Sequence, residues 1–159
     1  MKKPVISHEP ADYACPFCAF LNGKQSDYNN DQDIVVQNHA AVAFMCPMTW
    51  PKNHGNIIVV PKVHIENIYM LPDEQITALF KLVRNVSAAI RERYDDCSGV
   101  SIIQRNEPND GQQVWHLHVH VVPRYAGDEF SEQDQTEFAS AEVRAPFARK
   151  LREYLLNTA

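Results

Sequence analysis

Short blocks of hydrophobic residues, many of them β-branched, alternate with polar turns along the first three quarters of the chain. The blocks predict five strands, at residues 34–36, 41–44, 56–60, 100–103 and 114–122. Asn38 and His39 separate the first two blocks, which predicts a hairpin. Pro61 and Pro123 follow the third and fifth blocks and are expected to end those strands, because proline lacks an N–H donor. The strand order along the chain favours antiparallel pairing.

Apolar positions recur every three to four residues over residues 73–94, which predicts one long amphipathic helix. A second helix is predicted from about Pro146 to Leu155, since proline suits a first helical turn. Residues 19–33 and 126–141 lack this periodicity and predict surface loops. All 159 residues are therefore expected to form a single α+β domain, with a five-stranded antiparallel sheet, one long helix and a C-terminal helix.

The charge balance limits the kinds of partner. The chain carries 15 Lys and Arg against 20 Asp and Glu, for a net charge of −5. Nonspecific nucleic-acid binding depends on clustered cations, so no nucleic-acid partner is expected, although one pocket could still bind a small polyanion. No apolar run approaches the roughly 20 residues of a membrane span, and no signal peptide is evident. We expect a cytoplasmic protein with no membrane partner.

The four cysteines need an explanation other than disulfide bonds, which are rare in the cytoplasm. Cys15 and Cys18 form a Cys-x-x-Cys pair, a spacing typical of metal sites. Cys46 and Cys97 stand alone and are expected to be small buried residues.

Three alternating histidines provide the clearest functional signal. Side chains alternate faces along a strand, so His116, His118 and His120 are predicted to share one face at intervals of about 6.6–6.8 Å. The opposite face, with Trp115 and Leu117 at its start, suits a packed core. Three interpretations are open: a solvated face, a metal centre, or a nucleophilic imidazole that carries a phosphoryl group with help from its neighbours.

The segment that contains these histidines resembles a known family signature. The pattern His-apolar-His-apolar-His-apolar-apolar at residues 116–122 is that of the histidine triad (HIT) superfamily of nucleotide hydrolases and transferases. Residues 111–114, Gly-Gln-Gln-Val, resemble the family's upstream motif, and residues 123–128 resemble the extension of the diadenosine-polyphosphate hydrolase-like branch. Cys15-Pro-Phe-Cys18 and residues 55–69 resemble bacterial members in the same order. The resemblance spans about residues 13–128 and leaves 129–159 as a C-terminal extension.

The resemblance implies a HIT-like fold, a homodimer and a two-step reaction. His118 would attack a nucleotide α-phosphate, and water would then hydrolyse the nucleotidyl-histidine. Gln112 and His120 are implied to act with it in catalysis, and Gln112, Gln113 and His120 to contact the substrate. Candidate substrates are dinucleoside polyphosphates and nucleoside phosphoramidates.

Two positions depart from the family pattern. Cys46 stands where relatives often carry the Asp or Asn that binds the ribose hydroxyls, and a thiol is a weak hydrogen-bonding group. Asn56 stands where many relatives have a histidine. Both are candidate substrate-binding positions. Cys46 keeps open an alternative function as a nucleotide-binding regulatory protein with little turnover. Trp50, in the same loop, is expected either to cover a nucleobase or to close the core.

The resemblance also implies a structural zinc site. Some bacterial relatives hold zinc with the Cys-x-x-Cys pair, the His of Pro-Lys-x-His and the first triad histidine. The corresponding residues here are Cys15, Cys18, His64 and His116. A closed shell of four such ligands is typical of structural zinc.

Overall fold

The structure, a computed structural model, describes residues 4–132 and 135–157. The described residues form three α-helices and seven strands. In chain order these are α1 (Pro16–Leu21), β1 (Ile34–Gln37), β2 (Ala41–Met45), β3 (Met48–Thr49), β4 (Ile57–Pro61), α2 (Asp73–Arg93), β5 (Gly99–Gln104), β6 (Val119–Arg124), β7 (Glu137–Phe138) and α3 (Ala141–Asn157).

Five of the strands form one antiparallel sheet in the order β1-β2-β4-β6-β5. The two-residue strands β3 and β7 pair separately. The predicted α+β fold, with its five-stranded antiparallel sheet, long helix and C-terminal helix, is confirmed.

The two faces of the sheet carry different layers. One hydrophobic cluster joins the sheet to α2 and α3, and Leu117, Val119 and Val121 lie in it with no exposed surface. A second cluster lies on the other face, where Phe17 and Phe20 of α1 pack against the sheet. The β4–β6 register places His120 opposite Ile58, a member of this second cluster. The triad therefore faces the α1 side of the sheet.

The histidine strand is shorter at its start than predicted. It begins at Val119, so His116 and His118 precede the sheet in an irregular segment. Continuing the β4–β6 register would pair Leu117 with Pro61, which has no N–H to donate. Leu117 N instead donates to Ile65 O at 2.6 Å. The prediction that Pro123 ends the strand is also wrong, because β6 continues to Arg124 through its pairing with β5.

The helical boundaries also differ from the predictions. Helix α3 begins at Ala141 and includes Pro146, because a buried Arg144 anchors the turn before the proline. The predicted loop at 19–33 contains the end of α1 and a 3₁₀ turn, and the predicted loop at 126–141 contains β7 and the start of α3. Helix α1, the 3₁₀ turn and β7 are too short for their periodicity to be visible in the sequence.

Among the described residues, no helix combines the length and the apolar character that crossing a membrane requires.

Candidate active site and metal centre

Four residues that are far apart in sequence meet at one edge of the triad. One ligand atom from each of Cys15, Cys18, His64 and His116 lies within 4.8 Å of all the others. The Nδ1 atom of His116 is 3.4 Å from Cys15 Sγ and 3.5 Å from Cys18 Sγ, and Cys18 Sγ is 3.3 Å from His64 Nδ1. Tetrahedral zinc, with bonds of about 2.3 Å to sulfur and about 2.0–2.1 Å to nitrogen, separates such atoms by about 3.6 Å. The donor set and its spacing therefore fit a tetrahedral metal ion.

The two histidines of this cluster are oriented by contacts on their far nitrogens. His64 Nε2 lies 2.6 Å from Glu9 Oε2, and His116 Nε2 lies 3.0 Å from Pro61 O. Carboxylate and carbonyl oxygens at these positions accept the Nε2 proton and leave the Nδ1 lone pair directed at the cluster. Burial lowers the pKa of His116 to about 4, which keeps its imidazole neutral and able to act as a ligand.

The alpha-helix that carries the cysteines places them on this edge. Cys15 caps α1, and its Sγ accepts a hydrogen bond from Cys18 N at 3.4 Å. Burial, with the nearby Cys15 thiol as a further cause, raises the pKa of Cys18 to about 11. A thiol held in this way releases its proton when a metal binds.

His118 is the buried centre of the triad. Its Nδ1 lies 2.7 Å from His116 O, and a carbonyl can only accept, so Nδ1 carries the proton. Nε2 therefore carries the lone pair. Burial lowers the pKa of His118, and the neutral form results. The ring of Phe17 packs edge-on against both His116 and His118, at 5.7 and 5.4 Å between centroids.

His120 lies on the other side of His118, with 5.2 Å between ring centroids. Its Nδ1 is buried and has no hydrogen-bond partner among the described residues. Burial, together with the neighbouring His118 and Arg105, lowers the pKa of His120 to about 3. Trp50 packs edge-on against the His120 ring at 5.9 Å, so this tryptophan lies at the rim of the triad.

Gln112 and Gln113 have different surroundings. Gln112 is buried and hydrogen-bonded to the backbone of two loops: Oε1 accepts from Glu107 N at 2.8 Å, and Nε2 donates to Val114 O in its own loop and to Glu66 O in the loop after β4. Gln113 is exposed. In this structure Gln112 stabilises the loop that precedes the triad, and Gln113 is the glutamine that has a free surface.

Cys46 and Asn56 are both buried in the core next to the site. The Cys46 thiol donates to Met48 O at 2.9 Å, and burial raises its pKa to about 12. Asn56 donates from Nδ2 to the same carbonyl at 3.2 Å, while its Oδ1 has no partner among the described residues. Both side chains thus hold the loop after β2.

The triad does not converge on a metal of its own. His116 directs Nδ1 to the cysteines, and His118 directs Nδ1 to a backbone carbonyl. Within the described ranges, the only group of three or more His, Cys, Asp or Glu with metal-binding spacing is the Cys15, Cys18, His64 and His116 cluster. Three of the four ring nitrogens of His116 and His118 therefore already have partners outside the triad side chains.

Two contributors to the site have no signal in the sequence pattern. Glu9 contacts a residue 55 positions away, and Phe17 reaches both histidines only because α1 lies on that face of the sheet.

The chain is similar to known proteins in both sequence and fold. The HIT domain model matches residues 27–127, which is more than half of the chain. Protein hit of Bacillus subtilis is 32% identical over 117 residues, covering 73% of this chain and 75% of that protein. A hypothetical histidine triad nucleotide-binding protein from Sulfolobus tokodaii superposes with a TM-score of 0.74 at 25% identity, covering 90% of this chain and 93% of that one.

A Zn-bound histidine triad family protein from Mycobacterium smegmatis has the same fold, with a TM-score of 0.73 at 23% identity over 91% of this chain and 95% of that one. The resemblance seen in the triad segment is thus supported by sequence similarity over most of the chain and by the fold. The chain belongs to the HIT family.

Proposed function

We propose that this HIT-family protein hydrolyses a nucleotide at its α-phosphate through a covalent nucleotidyl-His118 intermediate. The observation that carries the proposal is the 2.7 Å contact between His118 Nδ1 and His116 O. This contact fixes the proton on Nδ1 and leaves Nε2 as a neutral nucleophile.

The proposed reaction has two steps. In the first, His118 Nε2 forms a bond to the α-phosphorus, and the bond from phosphorus to the leaving group breaks. The leaving group departs with the electron pair and takes up a proton from solvent. In the second step, water attacks the phosphorus and gives one proton to solvent. The P–N bond breaks, its electron pair returns to His118 Nε2, and the nucleoside monophosphate leaves with the oxygen of water.

His120 and Gln113 are the proposed substrate contacts. The unpartnered Nδ1 of His120 is beside the nucleophile, where a phosphate oxygen would supply the missing partner. Gln113 is exposed in the loop that leads to the triad. Gln112 supports catalysis in this proposal by holding that loop. Dinucleoside polyphosphates and nucleoside phosphoramidates are the proposed substrates.

We propose zinc as the resident metal of the Cys15, Cys18, His64 and His116 cluster. The two sulfurs and two nitrogens match the ligands that structural zinc prefers, and their spacing fits a tetrahedral ion. A closed shell of four protein ligands leaves no open position for substrate. Zinc would therefore hold α1 and His116 together, and the chemistry would remain with His118.

We also propose a homodimer that pairs through β5. Strand β1, at one edge of the sheet, is covered by α3, from which Arg152 donates to Gln32 O and Ile34 O. Strand β5, at the other edge, leaves Ile102 53% exposed. An uncovered strand edge with an apolar side chain is the more suitable surface for a second copy.

The decisive experiment is His118→Ala, assayed with diadenosine tetraphosphate and with adenosine phosphoramidate. Turnover is expected to fall by about 10⁴-fold or more for both substrates, because no other group supplies the nucleophile. Rapid quenching of the wild type should reveal chain with the added mass of a nucleotidyl group, which His118→Ala should lack. His39→Ala, at an exposed histidine in the turn between β1 and β2, is the control. Near-normal turnover by His118→Ala would refute the assignment.

The alternative function is a nucleotide-binding regulator with little turnover. The buried thiol of Cys46 favours it, because its proton is already used on Met48 O and cannot serve the ribose. This alternative predicts tight nucleotide binding, measured by calorimetry, without product over hours.

A further inference from the structure

An N-terminal arm, residues 7–13, lies against the rim of the metal cluster although it forms no helix or strand. Its first contact is with Glu66, a carboxylate that is only 9% exposed. Ser7 Oγ donates to Glu66 Oε2 at 2.6 Å, and His8 N donates to Glu66 Oε1 at 2.7 Å. Both oxygens of one buried carboxylate thus fix the start of the arm, two residues beyond His64.

The middle of the arm contacts a metal ligand directly. Glu9 Oε2 lies 2.6 Å from His64 Nε2, on the side of the ring opposite Cys18. The side chains of Glu9 and His64 are each about one-third exposed, so burial alone does not require them to be in contact. The contact has the geometry of a carboxylate that orients a metal-bound imidazole and increases its basicity.

The end of the arm contacts the residue that precedes His116. Tyr13 Oη accepts a hydrogen bond from Trp115 N at 3.1 Å, and the His8 ring packs against the Trp115 ring at 5.8 Å. Tyr13 precedes Cys15 by two residues, and Trp115 directly precedes His116. The arm therefore contacts His64 directly, contacts the residue before His116, and leads into Cys15.

We propose that this arm is the outer layer of the metal site, with Glu9 as the positioning residue for His64, so that metal binding and arm docking are coupled. The inference rests on the proposed zinc site and assigns a role to a segment outside the matched HIT domain. Coupling is reciprocal: the factor by which the docked arm raises metal affinity equals the factor by which the metal stabilises the docked arm. Loss of an outer carboxylate typically reduces metal affinity by about 10- to 100-fold.

The test compares Glu9→Ala and Glu9→Gln with Asp12→Asn in the full-length protein. Asp12 lies in the same arm with a φ of 61°, and asparagine tolerates that conformation, so Asp12→Asn removes one charge from the arm without changing a contact to His64. Zinc affinity is measured by competition with a chromophoric chelator. We expect about a 10- to 100-fold loss for Glu9→Ala, a smaller loss for Glu9→Gln, which keeps an acceptor oxygen, and no loss for Asp12→Asn.

Two further measurements separate orientation of His64 from a general effect on stability. The ligand-field spectrum of the Co²⁺-substituted protein is expected to change in Glu9→Gln, while the melting temperature of the metal-free protein stays at the wild-type value. Hydrogen exchange at Trp115 N should slow when zinc is added to the wild type, and slow less in Glu9→Ala.

The outcomes distinguish this inference from the metal site on which it rests. If wild type and Asp12→Asn bind zinc and Glu9→Ala binds it equally well, the role of Glu9 is refuted and the zinc site stands. If the wild type binds no zinc, both the site and the inference are refuted. If zinc affinity falls in Glu9→Ala but exchange at Trp115 N does not respond to zinc, the coupling to the arm is refuted.

Discussion

Replacing Arg144 by methionine tests whether the C-terminal helix is part of the same domain as the HIT core. Arg144 is 1% exposed and makes two hydrogen bonds of 2.8 Å to the carboxylate of Asp33, which is also buried. It also donates to Ala139 O. The pair connects the first turn of α3 with the 3₁₀ turn that precedes β1.

The expected loss of stability follows from the Asp33 carboxylate, which stays charged in the core after Arg144 is replaced. Removing one partner of a buried, hydrogen-bonded ion pair leaves the other charge without compensation and costs about 3–5 kcal/mol. In a domain of about 150 residues, 1 kcal/mol shifts the melting temperature by roughly 2–4 °C. Arg144→Met should therefore lower the melting temperature by about 6–20 °C. The double variant Asp33→Leu, Arg144→Met should recover much of the loss, because it leaves no unpaired charge.

The assay is thermal unfolding followed by both calorimetry and circular dichroism. Ala148 and Leu151 of α3 have no exposed surface and lie in the cluster formed by α2 and the sheet. A single coincident transition at the lower temperature is therefore expected from both probes. A shift below about 2 °C would contradict the energetic argument. An early, separate melting of α3 would contradict the single domain.

Three further predictions concern the metal, the sheet edge and pH. Cys15→Ser should reduce bound zinc from about one per chain to nearly none in elemental analysis, and zinc retained at the wild-type level would refute the ligand set. Ile102→Asp should convert the proposed dimer to a monomer in light scattering, because it places a charge on the edge strand β5. The hydrogen bond from Arg124 holds the pKa of Asp128 well below 3.8, so this carboxylate stabilises the fold above that pH and less as the pH falls through it. Asp128→Asn should therefore lower the melting temperature at pH 7, with a difference from wild type that narrows below 3.8; a constant difference would refute the linkage.

The sequence pattern predicted strands such as β2 and β4 because consecutive residues in each of them are buried. Residues 41–45 and 57–61 are buried throughout, and unbroken runs of apolar residues mark both strands in the sequence. The start of β6 could not be predicted in this way. It depends on which residue lies opposite in β4, and Pro61 is 56 positions from Leu117 along the chain. The missing N–H of Pro61 in β4 therefore determines where β6 begins.

The candidate metal ligands were predicted from the family resemblance, and the structure adds what surrounds them. Cys15, Cys18, His64 and His116 do come together. No spacing in the sequence relates Glu9 to His64, because the contact joins an arm without secondary structure to a loop. The inward orientation of the Gln112 side chain likewise depends on hydrogen bonds to three backbone groups. The sequence motif around Gln112 does not specify those partners.

His116 links the proposed metal site to the proposed chemistry through a single residue. Its Nδ1 faces the two thiols, its Nε2 donates to Pro61 O, and its own carbonyl accepts the Nδ1 proton of His118. The segment around it lies outside the sheet ladder, so these contacts, with Leu117 N to Ile65 O, replace the strand pairing that would otherwise hold it. A metal that fixes His116 would therefore fix the carbonyl that sets the tautomer of His118. A structural ion with no open coordination position would in this way support catalysis without touching the substrate.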